Sequence, residues 1–370
     1  MKVLTLTIQN AKNMGAQLQC YALSKFLNSQ DDIKCEVLCY YPIRYDVSWK
    51  YFKKPVDLNT LAIFLYKAIR VDQFILFKRK NKVMKSFMDK YIPLTNEHFF
   101  RKDIIANPPT ADVFICGSDQ IWNFKLRKDF TYLLDFVKGE KTKRIAYAAS
   151  MAEPWTNEEC EEARPLLHRF NAIGIREKGN LPLINSLLEQ PTARVVVDPV
   201  FLLTRMEWDQ LLKQPQISDP YIFCYFLGTD DFTVKVVKKI KALTGYKIVH
   251  LNLNKRDRFN SDKNIVVADP SDFIGLIANA SMVCTNSFHC TAFSLIYQRN
   301  IQFIPRESAN TRVYSLQEIF QIPNIILDST RFSNLQKEDL VTDYSNSQQA
   351  IETMIESSKK FLLNALYERK

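Results

Sequence analysis

At 370 residues, with 46% hydrophobic and 12% aromatic side chains, the chain has enough apolar surface for two cores of ordinary size, which excludes a disordered protein. Its net charge of +10 is uneven: residues 43–102 hold 14 Lys/Arg against 5 Asp/Glu, and the remainder is nearly balanced. No apolar run approaches the roughly 20 residues of a bilayer span, and the opening MKVLTLTIQN alternates like a strand without a small-residue cleavage site, so a cytoplasmic protein is expected.

Residues 3–8 read as a strand, 16–27 as a helix and 35–41 as a second strand. Residues 43–102 follow as a basic helical insertion, with Leu61, Phe64, Leu65, Ala68 and Ile69 at helical spacing. Three readings fit that insertion: a solvated helical face, peripheral docking on an anionic membrane or a lipid-linked phosphate, and nucleic-acid binding. No recognition module accompanies the last, so no nucleic-acid partner is expected. Apolar runs at 112–117, 144–150, 172–177 and 194–203 then alternate with helices at 157–171 and 181–190. After a connector at 204–220, strand and helix patterns resume from 221, and a long helix closes the chain.

Near-continuous apolar strands between helices signal parallel sheets covered on both faces. The expected fold is α/β: two Rossmann-like doubly wound domains, GT-B-like, with a cleft between them. The domains span 1–203 and 221–330, with the basic insertion in the first, and a helix at 345–370 packs back on the first domain. GxGxxG, P-loop, GxSxG and HExxH patterns are all absent, which argues against a nicotinamide or flavin cofactor. The 8 cysteines are scattered without a CxxC pair or a histidine at ligand spacing, so they read as reduced core cysteines and no metal is expected.

Open α/β sheets bind ligands beyond the carboxyl ends of their strands, and those ends carry distinct chemistry here. Asn13, Gly15 and Gln17 stand where the first strand enters a helix, as a cap or as an approach for a ligand. Ser118, Asp119, Gln120, Trp122 and Asn123 place a hydroxyl, a carboxylate, two amides and an indole within six residues. That set suits a saccharide, and equally a capped turn over a buried Trp. Arg176 ends another strand, and Asp198-Pro199 makes a stiff exit from the next. Asn286, Ser287 and His289 fall where a second-domain strand meets a helix; a buried structural histidine and a cleft-facing one are both open. Arg306 and Arg312 follow in the next loop, a pairing that suits a carboxylate or phosphate.

These segments together resemble the polysaccharide pyruvyl transferase family. The likeness runs through Asn13-Met14-Gly15, CGSDQIWN (116–123), AYAASMA (146–152), IREK (175–178), VDPVFLL (197–203), TNSFHCTAFSLIYQRN (285–300) and ANTRVYSLQEIF (309–320). It implies a bacterial enzyme of surface polysaccharide biosynthesis that moves the pyruvyl group of phosphoenolpyruvate onto two saccharide hydroxyls as a ketal. The acceptor is often lipid-linked, and phosphoenolpyruvate is a co-substrate with no cofactor. On that resemblance His289 is the leading acid/base with Asp119 as the alternative base. Arg176, Arg306, Arg312, Asn286 and Ser287 bind the donor, and Asn13, Gly15, Gln17, Ser118, Gln120, Trp122 and Asn123 contact the saccharide. Many relatives carry Arg-Leu-His where this chain has Ser287-Phe288-His289, and Ala16 replaces an acidic residue. The competing readings are a GT-B glycosyltransferase with a nucleotide-sugar donor and a non-catalytic saccharide-binding protein.

Overall fold

A computed structural model gives the fold of residues 1–9, 13–42, 71–252, 257–306 and 310–368, without the side chains of 71–74. The first sheet contains β1 (Lys2–Leu6), β2 (Lys34–Tyr41), β3 (Leu94–Phe100), β4 (Val113–Cys116), β5 (Lys143–Ala149), β6 (Ala172–Ile175) and β7 (Arg194–Val195). Their order is β3-β2-β1-β4-β5-β6-β7, and every pairing is parallel. The second sheet contains β8 (Tyr221–Tyr225), β9 (Lys247–Leu251), β10 (Lys263–Ile265), β11 (Met282–Thr285) and β12 (Asn300–Phe303). It runs β10-β9-β8-β11-β12, again parallel throughout. The chain is therefore two doubly wound α/β units, as the alternating pattern predicts.

Strands β4, β8 and β11 are buried along their whole length, since helices cover both faces. The winding reverses between β1 and β4 in one sheet and between β8 and β11 in the other. Such switch points leave a crevice outside the carboxyl ends of the strands. One apolar cluster joins the two units, running from Val3 and Leu18 through Trp208 to Phe273, Phe288 and Phe293.

Two expectations change. Residues 43–70, with the helical spacing at 61–69, lie outside the described residues. Val71–Tyr91 is a helix, but 94–100 is β3, paired in parallel with β2. A parallel pair needs a crossover, so this helix is the β2-to-β3 connection, and the end of the expected helical insertion is an edge strand. Pro93, with no N–H to continue a helix, marks the change. The strand expected over 194–203 stops at Val195, because Asp198 accepts a bond from Val200 N and Pro199–Phe201 coils into a 3-10 turn.

The closing helix, Gln348–Tyr367, buries Leu362 and Leu366. Lys143 Nζ of β5 donates to the carbonyls of Ala365, Leu366 and Glu368 at 3.1, 2.6 and 2.7 Å, a cation at the negative end of the helix dipole. Among the described residues no helix is long and apolar enough to cross a membrane.

Candidate active site

β11 ends at Thr285, and Ser287 caps the helix Phe288–Ile296 that follows, accepting from Cys290 N at 3.4 Å. His289, in the first turn of that helix, points across to the other switch point. There Asn13 caps the helix Met14–Asn28 by accepting from Gly15 N at 2.9 Å. A Cβ on Gly15 would lie 2.0 Å from His289 Nδ1 and 2.2 Å from its Cγ, so only glycine lets the imidazole rest on this turn. Two helix N-termini thus meet at one histidine.

Behind it lies a buried ionic network. His289 Nε2 is 3.6 Å from Asp198 Oδ2. The same oxygen accepts from Arg176 Nη1 at 2.5 Å and Ser118 Oγ at 3.1 Å, while Oδ1 accepts from Val200 N at 3.2 Å. Burial alone would raise the Asp198 carboxyl, but His289, Arg176 and the Val200 N–H outweigh it and hold it well below the usual carboxylate range. Arg176 lies 3.8 Å from Asp119 Oδ1 and 3.9 Å from Glu177 Oε1, and its guanidinium sits 4.4 Å from the centre of the Phe288 ring. Burial opposes its charge, and the carboxylates of Asp198, Glu177 and Asp119 more than offset that. Its Nε and Nη2 have no hydrogen-bond partner.

Arg312, on the helix Thr311–Phe320, is buried 5.8 Å from the same Phe288 ring. With the Gln120 amide turned to match donor to acceptor, its oxygen accepts from Arg312 Nη2 at 2.7 Å and Nη1 at 3.0 Å. Arg312 Nε has no partner. Burial first, and then Arg176, pull Arg312 down to about 10 against the attraction of Asp119 and Glu177. It remains a cation at neutral pH, buried and held by a neutral amide. That arrangement can receive an anion.

The other expected residues divide. Asp119 is partly buried at φ 73°, a conformation that Asp tolerates, beside Arg176. Arg306 is half-buried with an unpartnered Nε, and Asn123 lies 2.9 Å from Gln120. Gln17 is buried with its amide oxygen unpartnered. Ser118 is fully buried, its hydroxyl reaching Ala148 O at 2.9 Å and its N–H donating to Gln19 Oε1. Trp122 is also fully buried, donating to Tyr132 O at 3.0 Å and packed on Trp155 and Phe170. Neither can touch a saccharide, which corrects both expectations: the motif turns inward because its apolar members join the core. Asn286 braces the loop after β8, since its amide oxygen accepts from Leu227 N and its amide nitrogen donates to Gly228 O.

Residue-by-residue reading gives Asp198 only a stiff exit from its strand and leaves Glu177 and Tyr147 unassigned. Glu177 is buried, accepting from Ser150 Oγ and from Met151 N at 3.3 Å. The Tyr147 hydroxyl is buried without a partner and pushed well up, by burial and then by Asp198. The acid adjoining Arg176 and the stiff Asp-Pro exit were the available signals.

A family model described as polysaccharide pyruvyl transferase matches residues 13–301. No curated protein matches the chain. Among solved structures, a putative UDP-N-acetylglucosamine 2-epimerase from Listeria monocytogenes is similar at 11% identity, covering 100% of this chain and 97% of that one, with a TM-score of 0.56. The Anabaena protein HepE, in complex with UDP and glucose, is similar at 8% identity over 100% of both chains, with a TM-score of 0.55. At these identities the likeness is one of fold, the two-domain GT-B arrangement. The family match covers more than half of the chain, including Gly15, Asp119, Arg176, Asp198 and His289, and the chain belongs to the polysaccharide pyruvyl transferase family.

Proposed function

We propose that the protein transfers the pyruvyl group of phosphoenolpyruvate onto two hydroxyls of a saccharide, closing a cyclic ketal and releasing phosphate, in surface polysaccharide biosynthesis. The observation that carries this reading is Arg312, a buried cation whose partner is a neutral amide, set against the same Phe288 ring as Arg176 and beside the His289 network. Phosphoenolpyruvate brings a carboxylate and a phosphate, and the unpartnered N–H groups of Arg176 and Arg312 are donors for them. In this reading Arg312 supplies the charge that Ser287 lacks.

His289, as imidazolium, gives a proton to the methylene carbon, and positive charge develops on the carbon bearing phosphate. A saccharide hydroxyl adds there, losing its proton to Asp119. The phosphate C–O bond breaks, and the second hydroxyl closes the ring. One of the two hydroxyl protons leaves with phosphate and the other replaces the proton that His289 gave to the new methyl group, so His289 and Asp119 return to their starting states. The arginines neutralise the donor, so the reading needs no cofactor beyond the co-substrate. A lipid-linked acceptor suits the exposed lysines Lys82, Lys85 and Lys90 of the crossover helix, which can meet an anionic membrane.

The test is phosphate release from phosphoenolpyruvate across a panel of glycosides. Wild type is expected to turn over, and His289→Ala to be slower by about 10²-fold or more. Near-wild-type turnover in His289→Ala removes the assigned acid, and nucleotide release from a nucleotide sugar in place of phosphate release favours glycosyl transfer.

A further inference from the structure

We propose that Asp198 is a positioning residue that ties the anion-binding Arg176 to His289 through one carboxylate oxygen. This rests on the reading of His289 as the acid. Oδ2 accepts from Arg176 Nη1 at 2.5 Å and from Ser118 Oγ at 3.1 Å, and it faces His289 Nε2 at 3.6 Å. The oxygen is fixed in place: Pro199 stiffens the chain beside it, and Val200 N–H anchors Oδ1 at 3.2 Å. The Asp198 side chain is 0% exposed, so water does not screen its charge.

His289 Nε2 is buried and has no hydrogen-bond partner, and Asp198 is the carboxylate in contact with it among the described residues. A separation of 3.6 Å is an ion-pair contact rather than a hydrogen bond. The carboxylate favours a proton on Nε2 in the neutral ring and leaves Nδ1, beside Gly15, as the nitrogen that exchanges a proton with substrate. Arg176 draws on the same oxygen. An anion that takes up part of the Arg176 charge leaves more of the Asp198 charge for His289, so donor binding readies the acid. His289 and Arg176 sit on different units of the fold, and among the described residues Asp198 is the carboxylate that contacts both.

Two measurements test this. In ¹⁵N-histidine NMR of the protein without substrate, His289 is identified by its loss in His289→Ala. Its neutral form is expected to carry the proton on Nε2, with that preference weakened in Asp198→Asn. In kinetics, Asp198→Asn is expected to lower kcat by about 10- to 100-fold while the KM for phosphoenolpyruvate does not rise, because Arg176 keeps an acceptor. A His289 tautomer protonated on Nδ1 in wild type overturns the proposal. So does a raised KM with unchanged kcat in the variant. Should Asp198→Asn fail to fold, the wild-type tautomer alone decides. Absence of phosphate release by wild type defeats the functional reading and leaves the NMR result standing, so the two failures are distinct.

Discussion

Gly15 and His289 decide at the residue scale whether the two switch points can meet. A methyl group on Gly15 would overlap the imidazole, whose Cβ, Cγ and Nδ1 all fall within 2.7 Å of it. The ring is wedged between the first helix and Asp198 and cannot move aside freely. Gly15→Ala is therefore expected to fold, as checked by circular dichroism, and to lower kcat by about 10²-fold through displacement of His289. Unchanged kcat would show that the contact is unimportant. Arg312 presents the opposite balance. Removing a buried cation that lacks a carboxylate relieves a desolvation penalty, so Arg312→Met is expected to stabilise the free protein by about 1 kcal/mol, seen as a higher melting temperature. The same change should abolish donor binding.

At the scale of elements, the site is built from helix starts. Asn13 and Ser287 cap the helices that bring Gly15 and His289 together. A cap whose carboxylate is not part of the ionic network serves as a control. Asp230 accepts from Thr233 N and Thr233 Oγ1, both at 2.7 Å, at the start of the helix Asp231–Thr244. Asp230→Ala is expected to cost about 1 kcal/mol of stability, measured by denaturant unfolding, with kcat and KM unchanged. Loss of activity there would mean that the second unit transmits strain to the cleft. The crossover helix Val71–Tyr91 illustrates how connectivity reassigns an element: once β3 pairs in parallel with β2, this helix has a structural task.

In the molecule as a whole, the two sheets share one apolar cluster and a set of polar contacts. Thr311 Oγ1 donates to Ala152 O at 2.8 Å, and Lys178 N donates to Ser315 Oγ at 2.8 Å. The proposed anion site takes Arg176 from one unit and Arg312 from the other. A ligand that bridges them stabilises the folded state by mass action, about 2.7 kcal/mol at a hundredfold excess over Kd. Phosphoenolpyruvate is therefore expected to raise the melting temperature of wild type and to leave that of Arg312→Met unchanged. Equal shifts in both proteins would place the donor elsewhere.

The fold class was legible because it depends on a local property. Runs such as VFIC, YIFCY and MVCT are apolar on both faces, and only a covered parallel sheet accommodates them. The motif order likewise pointed to His289, Arg176 and Arg312. The sequence misread β3 as part of the helical insertion, because its LTNEHFF pattern is too polar to stand out as a strand and becomes one only through bonds offered by β2. It also misassigned Trp122 and Ser118: residue type shows that an indole or hydroxyl suits a sugar, and only packing shows that both turn inward. Asp198 was hidden for a related reason. A carboxylate before a proline looks like a cap, and its contacts beyond that come from Arg176, 22 positions away, and from His289 in the other unit. Local pattern determined the elements and their order; long-range proximity, which depends on how the two sheets close on one another, decided which of their polar ends form a site.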